Sequence, residues 1–179
     1  MGIQTITAIG PLITDQDIKS FEKTIGGRLP ASYRRFLLTH NGGRPEPHFS
    51  KETPLAAFYG IKAQEKYNDL LANYRRMHKW LPKEVIPIGG DVFGDKVCLA
   101  IKGKNRGKIY GWDHEGRPEN IDPRIEFPWL ELSDDYVFKG DDWPGQPDLV
   151  LIADSFTEFL DDFHDFIPDE PKVKRKRPK

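Results

Sequence analysis

The most informative stretch of this sequence is Leu29-Pro-Ala-Ser-Tyr-Arg-Arg-Phe-Leu-Leu-Thr-His-Asn-Gly-Gly43. Proline is tolerated at the first position of a helix, because its missing N–H would be unpaired there anyway. Tyr33, Phe36 and Leu37 then share one apolar face. Asparagine and glycine tolerate positive φ, so Asn41-Gly42-Gly43 predicts the end of this helix, with Gly43 at the left-handed position that follows it.

A second helix is predicted just before this segment. The Thr14 hydroxyl can accept a hydrogen bond from an early backbone N–H, which is typical of a helix start. Ile18, Phe21 and Ile25 follow at spacings of three and four, which gives one apolar face. Gly26-Gly27 then predicts the helix end. Residues 14–43 are therefore expected to form a pair of consecutive helices.

The rest of the chain contains strands and two more helices. Residues 85–88, 96–101 and 108–113 are short apolar runs separated by glycine-rich turns, which favours an antiparallel meander. A helix is predicted over about 64–78, and a final helix is predicted from near Asp154 to Pro168. The sequence predicts an α+β domain in which five side chains are buried in one core, namely Phe36, Leu37, Phe156, Phe159 and Phe163.

Four stretches together resemble the Smi/Knr family of the SUKH superfamily. They are Leu29 to Gly43, a hairpin formed by Val85 to Asp91 and Asp95 to Leu99, a strand from Gly107 to Glu115, and a closing helix at Ile152 to Leu160. The resemblance implies a mainly antiparallel SUKH-like sheet, with the N-terminal helix pair and the C-terminal helix packed on it. It also implies binding rather than catalysis, because bacterial members are commonly immunity proteins against toxins and fungal members are regulatory scaffolds.

Charge is distributed unevenly along the 179 residues. Residues 1–112 contain 18 Lys or Arg and 10 Asp or Glu, whereas residues 113–170 contain 18 Asp or Glu and only 3 Lys or Arg. We expect one domain over residues 1–171, with an acidic, proline-rich insertion at about 114–149. The basic tail, 172–179, has six Lys or Arg and only one aliphatic residue, Val173, and it is expected to be disordered.

The charge pattern suggests how a partner is recognised. An acidic segment can meet a basic protein surface, such as a nuclease active site, and complementary charge accelerates their encounter. The leading hypothesis is therefore a non-catalytic immunity protein that occludes a cognate toxin, and a regulatory scaffold is the alternative. The partner-binding residues proposed are Trp112, Asp134, Asp135, Tyr136, Phe138, Asp141, Asp142 and Trp143. A tryptophan in the position of Trp112 is more often a core residue than a contact.

Other functions receive little support from the sequence. The single cysteine, Cys98, excludes an internal disulfide and a cysteine-rich zinc site, and its apolar neighbours predict a buried thiol. Asp113 and His114 would point to opposite faces if the strand continued through them, so no metal site is expected there. The glycine pairs lack the Lys-Ser/Thr of a phosphate-binding loop. The basic tail has no aromatic residue for base stacking, so nucleic-acid binding is not favoured.

No catalytic residue and no cofactor are predicted. The N-terminus lacks the basic region and apolar stretch of a signal peptide, and no run approaches the length needed to span a bilayer. The protein is therefore expected to be cytoplasmic, with no membrane partner. The sequence leaves the oligomeric state and the identity of the toxin open.

Overall fold

A computed structural model describes residues 2–50, 53–114 and 149–164 of this protein. The four helices in these ranges are α1 (Asp15–Ile25), α2 (Ala31–Thr39), α3 (Leu70–Met77) and α4 (Phe156–Asp161). The strands are β1 (Thr5–Thr7), β2 (Arg44–Glu46), β3 (Phe49–Ser50), β4 (Thr53–Pro54), β5 (Ala57–Phe58), β6 (Val85–Gly90), β7 (Lys96–Ala100), β8 (Ile109–Trp112), β9 (Leu149–Ala153) and β10 (Phe163–His164). In these ranges no helix is long and apolar enough to cross a membrane.

The main sheet has five strands in the order β5-β6-β7-β8-β9, and every neighbouring pair is antiparallel. Two smaller antiparallel sheets accompany it. One pairs β1 with β2, and the other has the order β10-β3-β4. The predicted α+β class with a mainly antiparallel sheet is confirmed, and the meander of β6, β7 and β8 has the order expected from its short turns.

The first helix begins and ends as its sequence predicts. The Thr14 side chain accepts a hydrogen bond from the backbone N–H of Asp17, and the Asp17 carboxylate accepts one from the backbone N–H of Thr14 at 2.8 Å. This reciprocal capping box pairs two N–H groups that the helix itself cannot use. Gly26 has φ of 63° and closes the helix in the left-handed conformation.

The second helix ends two residues earlier than the sequence suggests. His40 is the cap, and the left-handed position after it is occupied by Asn41, whose φ is 49°. The expectation that Gly43 takes this position is wrong. Gly43 has φ of 130° and pairs instead with Phe58 in the adjoining strand. A Cβ there would lie 2.5 Å from Ile6 Cγ2, so glycine is required by close packing as well as by backbone conformation.

Both later helices are shorter than predicted. The third begins at Leu70, not near residue 64, because the chain first passes through turns and Asp69 then caps the helix by accepting from the N–H of Ala72 at 2.7 Å. The last helix ends at Asp161, well before Pro168. Phe163 lies in β10, which pairs with β3. Contacts with a distant part of the chain therefore override the helical spacing of the final phenylalanines.

All five side chains predicted to share a core do so. Phe36, Leu37, Phe156, Phe159 and Phe163 are buried in one cluster, together with residues from α1 and from one face of the main sheet. The rings of Phe36 and Phe156 meet edge-to-face with centroids 5.2 Å apart, and those of Phe159 and Phe163 do so at 5.1 Å. Such arrangements add to the stabilisation that comes from burial alone.

The opposite face of the sheet carries a second, smaller cluster. Cys98, Tyr110, Trp112 and Leu149 are buried there against side chains from the end of α3 and the residues after it. The prediction of a buried thiol is confirmed, and burial raises the pKa of Cys98 well above its usual range. Reactive thiolates need exposed, electropositive surroundings, so Cys98 has a packing role.

Replacing Tyr33 with phenylalanine is expected to raise the free energy of unfolding by about 1 kcal/mol. The ring is fully buried 5.0 Å from that of Phe156, and its hydroxyl has no hydrogen-bond partner among the described residues. Burying an unpaired hydroxyl costs about 1–3 kcal/mol. Urea denaturation measures the change, and Tyr67→Phe at an exposed position provides the control. A loss of stability in Tyr33→Phe would show that the hydroxyl has a partner.

Candidate partner-binding surface

One end of the main sheet collects several features that bear on binding. Strand register pairs Gly90 with Lys96, Lys96 with Trp112, and Trp112 with Leu149. These residues therefore lie in a row across β6, β7, β8 and β9. We call this the hairpin end of the sheet, because the turn between β6 and β7, residues 91–95, projects from it.

The turn at the hairpin end is held by one carboxylate. Asp91 Oδ1 accepts hydrogen bonds from the backbone N–H groups of Phe93 at 2.9 Å, Gly94 at 2.8 Å and Asp95 at 2.9 Å. Gly94 has φ of 128°, which a residue with a side chain rarely adopts. The turn thus has a defined conformation that does not depend on packing of its two apolar side chains.

Those two side chains point into solvent. Val92 is 80% exposed and Phe93 is 74% exposed. Single exposed apolar residues are common on protein surfaces, but two neighbouring ones on an internally hydrogen-bonded turn form a preorganised apolar tip. Apolar and aromatic anchors of this kind often contribute most of the affinity at protein–protein interfaces.

A basic cavity of about 590 Å³ lies next to this tip. Its lining includes Val92 from the tip, together with Arg44, Arg76, Lys96 and Asp91. The three cations come from β2, α3 and β7, so they are distant in sequence and meet only in the fold. The volume falls within the range typical of ligand and peptide pockets.

Lys96 is only half-exposed inside this cavity. Burial lowers its pKa, while the nearby Asp91 carboxylate acts in the opposite direction. The ammonium donates to the carbonyl oxygens of Gly94 and, at 3.2 Å, of Asp95. A desolvated cation that is satisfied only by neutral carbonyls gains more from an incoming anion than a fully hydrated surface lysine does.

Asp113 and His114 meet a third polar side chain at the hairpin end. The strand-alternation argument does not apply to them, because β8 ends at Trp112. His114 Nδ1 lies 2.7 Å from Asp95 Oδ1, and the His114 backbone N–H also donates to that oxygen at 3.1 Å. The ligand atoms of Asp95, Asp113 and His114 lie within 4.8 Å of one another. In this structure their arrangement joins the hairpin turn to the end of β8.

Of the residues proposed from the sequence to bind a partner, only Trp112 lies within the described ranges. It is 7% exposed and packs in the second cluster, so it supports the hairpin end from inside. Seven others lie outside the described residues: Asp134, Asp135, Tyr136, Phe138, Asp141, Asp142 and Trp143.

Sequence reasoning missed the tip and the cavity. The sequence Asp91-Val-Phe-Gly-Asp95 could have indicated the tip, because it places two apolar residues inside a turn.

The fold is a small α+β domain with an exposed apolar turn and a basic cavity at one end of its main sheet. The chain belongs to the SMI1 / KNR4 family (SUKH-1), whose family model matches residues 12–162. Members of this family are generally non-catalytic proteins with immunity or regulatory roles, and they include toxin-immunity proteins.

Two individual proteins are similar to this chain. The SPbeta prophage-derived uncharacterized protein YokK of Bacillus subtilis (strain 168) is 27% identical, in an alignment that covers 82% of this chain and 72% of YokK. The crystal structure of a protein from Pseudomonas syringae pv. tomato is 17% identical, with a TM-score of 0.44, and covers 63% of this chain and 76% of that one.

Proposed function

We propose that this protein is a non-catalytic immunity protein that binds and neutralises a cognate toxin in the cytoplasm. The observation that carries the proposal is the apolar tip of Val92 and Phe93 on a hydrogen-bonded turn, in a chain whose family includes toxin-immunity proteins. Exposed apolar side chains on a fixed turn gain free energy when a protein partner buries them.

The acidic insertion is the second part of the proposed contact surface. Residues 115–148 contain ten Asp or Glu and three Lys or Arg. The described residues that flank this segment lie at the hairpin end, since Trp112 pairs with Leu149. We propose that the insertion and the apolar tip contact the same partner. A toxin with a basic substrate-binding surface, with a nuclease as the favoured class, would meet the acidic insertion and be occluded.

Within the insertion, the carboxylates proposed to contact the toxin are Asp134, Asp135, Asp141 and Asp142. Tyr136, Phe138 and Trp143 lie between or next to them and would supply apolar anchors. The acidic groups accelerate association, because opposite charges attract over several ångströms before contact, and the aromatic groups slow dissociation once water is excluded.

Changing the four aspartates together to asparagine is expected to reduce the association rate about tenfold at low salt and to weaken protection of cells that express the toxin. Exposed charges are screened beyond about 8 Å at physiological ionic strength. The association rate of the wild type should therefore fall as salt rises, and the slope for the quadruple variant should be shallower. Stopped-flow kinetics with the protein encoded beside this one, at two salt concentrations, provides the measurement.

Two controls accompany this measurement. Asp161→Asn removes one exposed carboxylate from α4, which follows the opposite end of β9, and it should leave the salt slope nearly unchanged. Removal of residues 172–179 should leave protection unchanged or slightly improved. Equal association rates and equal salt slopes for the wild type and the quadruple variant would show that the insertion is not the contact surface.

A further inference from the structure

We propose that the basic cavity at the hairpin end is a binding site for a carboxylate-bearing segment of a protein partner. The residues that line it come from parts of the chain outside the acidic insertion, and they require the opposite charge on the partner. It does not depend on that partner being a toxin, so it can be tested without one.

The first argument is the charge that lines the cavity. Arg44, Arg76 and Lys96 face it, and Asp91 is the one acid among its described lining residues. Asp91 already accepts three backbone hydrogen bonds through Oδ1. Within the described ranges, no carboxylate lies at ion-pair distance from any of the three cations. The cavity therefore holds an excess of positive charge that the described fold does not neutralise.

The second argument is geometric. Half-buried Lys96 and exposed Arg76 line the same cavity. Burial and Arg76 lower the Lys96 pKa, while Asp91 raises it. Arg76 is also oriented, because its Nη2 donates to the Asn73 side-chain oxygen at 2.6 Å. Two like charges held together in a cleft repel each other, and an anion placed between them removes that repulsion. Arginine in particular can bind a carboxylate through two parallel hydrogen bonds.

The third argument selects a protein as the source of the anion. The cavity wall is continuous with the exposed Val92, and Tyr67, which also lines it, is 59% exposed. Apolar side chains beside an arginine pair suit a peptide that offers an acidic residue next to apolar ones. A net charge of −1, with ten acids in residues 115–148, does not favour a nucleic-acid backbone as the source of the anion.

The test is selection of a phage-displayed library of random twelve-residue peptides on the full-length protein. The selected peptides are expected to be enriched in Asp or Glu beside apolar residues. A synthetic selected peptide should bind the double variant Arg44→Gln/Arg76→Gln about tenfold more weakly than the wild type, which corresponds to about 1.4 kcal/mol. The matched control, Arg35→Gln/Arg75→Gln, removes two exposed arginines that do not line the cavity, and it should bind like the wild type.

Three results would overturn the proposal. The first is a set of selected peptides without acidic enrichment, and the second is equal affinity of the selected peptide for the wild type and the cavity variant. The third is a labelled single-stranded DNA 20-mer that binds the wild type more tightly than the selected peptide does and loses this binding in the cavity variant. The last result would assign the cavity to nucleic acid. Amide chemical shifts of the wild type with the same peptide provide a second measurement that requires no variant, with changes expected at residues 76 and 91–96. The toxin-protection assay is independent of all these results.

Discussion

Replacing Asn41 with alanine is expected to lower the free energy of unfolding by about 4 kcal/mol. The Asn41 side chain is buried and joins three parts of the chain. Its Nδ2 donates to the carbonyl oxygens of Pro11 and Ile61, each at 2.8 Å, and its Oδ1 accepts from the N–H of Ile61 at 2.8 Å. Each lost bond leaves a backbone group unpaired in or near the core, and such a group costs about 1–3 kcal/mol.

The backbone at Asn41 adds to this cost. Its φ of 49° is a conformation that asparagine adopts more readily than alanine. The surroundings cannot relax easily, because a Cβ on Gly60 would lie 2.2 Å from the Asn41 carbonyl oxygen, and a Cβ on Gly10 would lie 2.8 Å from the same oxygen. The helix end, the segment before α1 and the chain after β5 therefore meet at one residue with little free space between them.

Urea denaturation of Asn41→Ala measures the effect, with Asn105→Ala as the matched control. Asn105 lies in the turn before β8, and its side chain makes no hydrogen bond among the described residues, so its loss should cost less than about 0.5 kcal/mol. A cost for Asn41→Ala below about 1 kcal/mol would show that water replaces the side-chain hydrogen bonds. The same outcome would show that the fold does not require the Asn41 side chain for its stability.

The prediction around Asn41 shows what sequence reasoning can reach. Asn41-Gly42-Gly43 indicated a helix end because all three residues tolerate positive φ, and the helix does end there. The sequence did not indicate which residue takes the left-handed position, or that the asparagine side chain bonds residues 20 and 30 positions away. Those features depend on where the chain goes after the turn, and local propensity contains no information about that path.

Two other helix boundaries were also wrong. A helical spacing of apolar residues continues through Phe163, yet this residue lies in a strand because β3 offers it backbone partners. Similarly, residues 64–68 carry no signal strong enough to exclude a helix, and the actual start is fixed by the Asp69 cap. By contrast, the identity of the buried side chains was predictable, since burial follows apolar spacing whether a residue ends in a helix or in a strand.

The candidate site was predictable only in part. Charge asymmetry along the chain predicts an acidic binding segment, which lies outside the described residues and stays a prediction, and it shows that residues 1–112 carry a net positive charge. The grouping of Arg44, Arg76 and Lys96 could not be inferred, because it requires the order of strands in the main sheet and the position of α3. The exposure of Val92 and Phe93 could not be predicted either, since the same two residues would be buried in the core if the strand were longer.

Replacing Val92 and Phe93 together with serine is expected to weaken binding of the cognate toxin about 100-fold, which corresponds to about 2.7 kcal/mol. Anchors that become fully buried at an interface typically cost 2 kcal/mol or more when truncated. The free protein should lose less than about 0.5 kcal/mol of stability, because both side chains are exposed and the turn is held by Asp91 and not by them.

The contrast between affinity and stability makes this prediction specific. Isothermal titration calorimetry with the toxin gives the affinity, and urea denaturation of the free variant gives the stability. Leu12→Ser is the control, since Leu12 is 89% exposed in the segment before α1 and should affect neither quantity. The double variant should change mainly the dissociation rate, whereas loss of the acidic insertion's charges should change mainly the association rate. If Val92→Ser/Phe93→Ser binds the toxin as tightly as the wild type does, the apolar tip is not part of the interface, and the contact must be made by the acidic insertion or another surface.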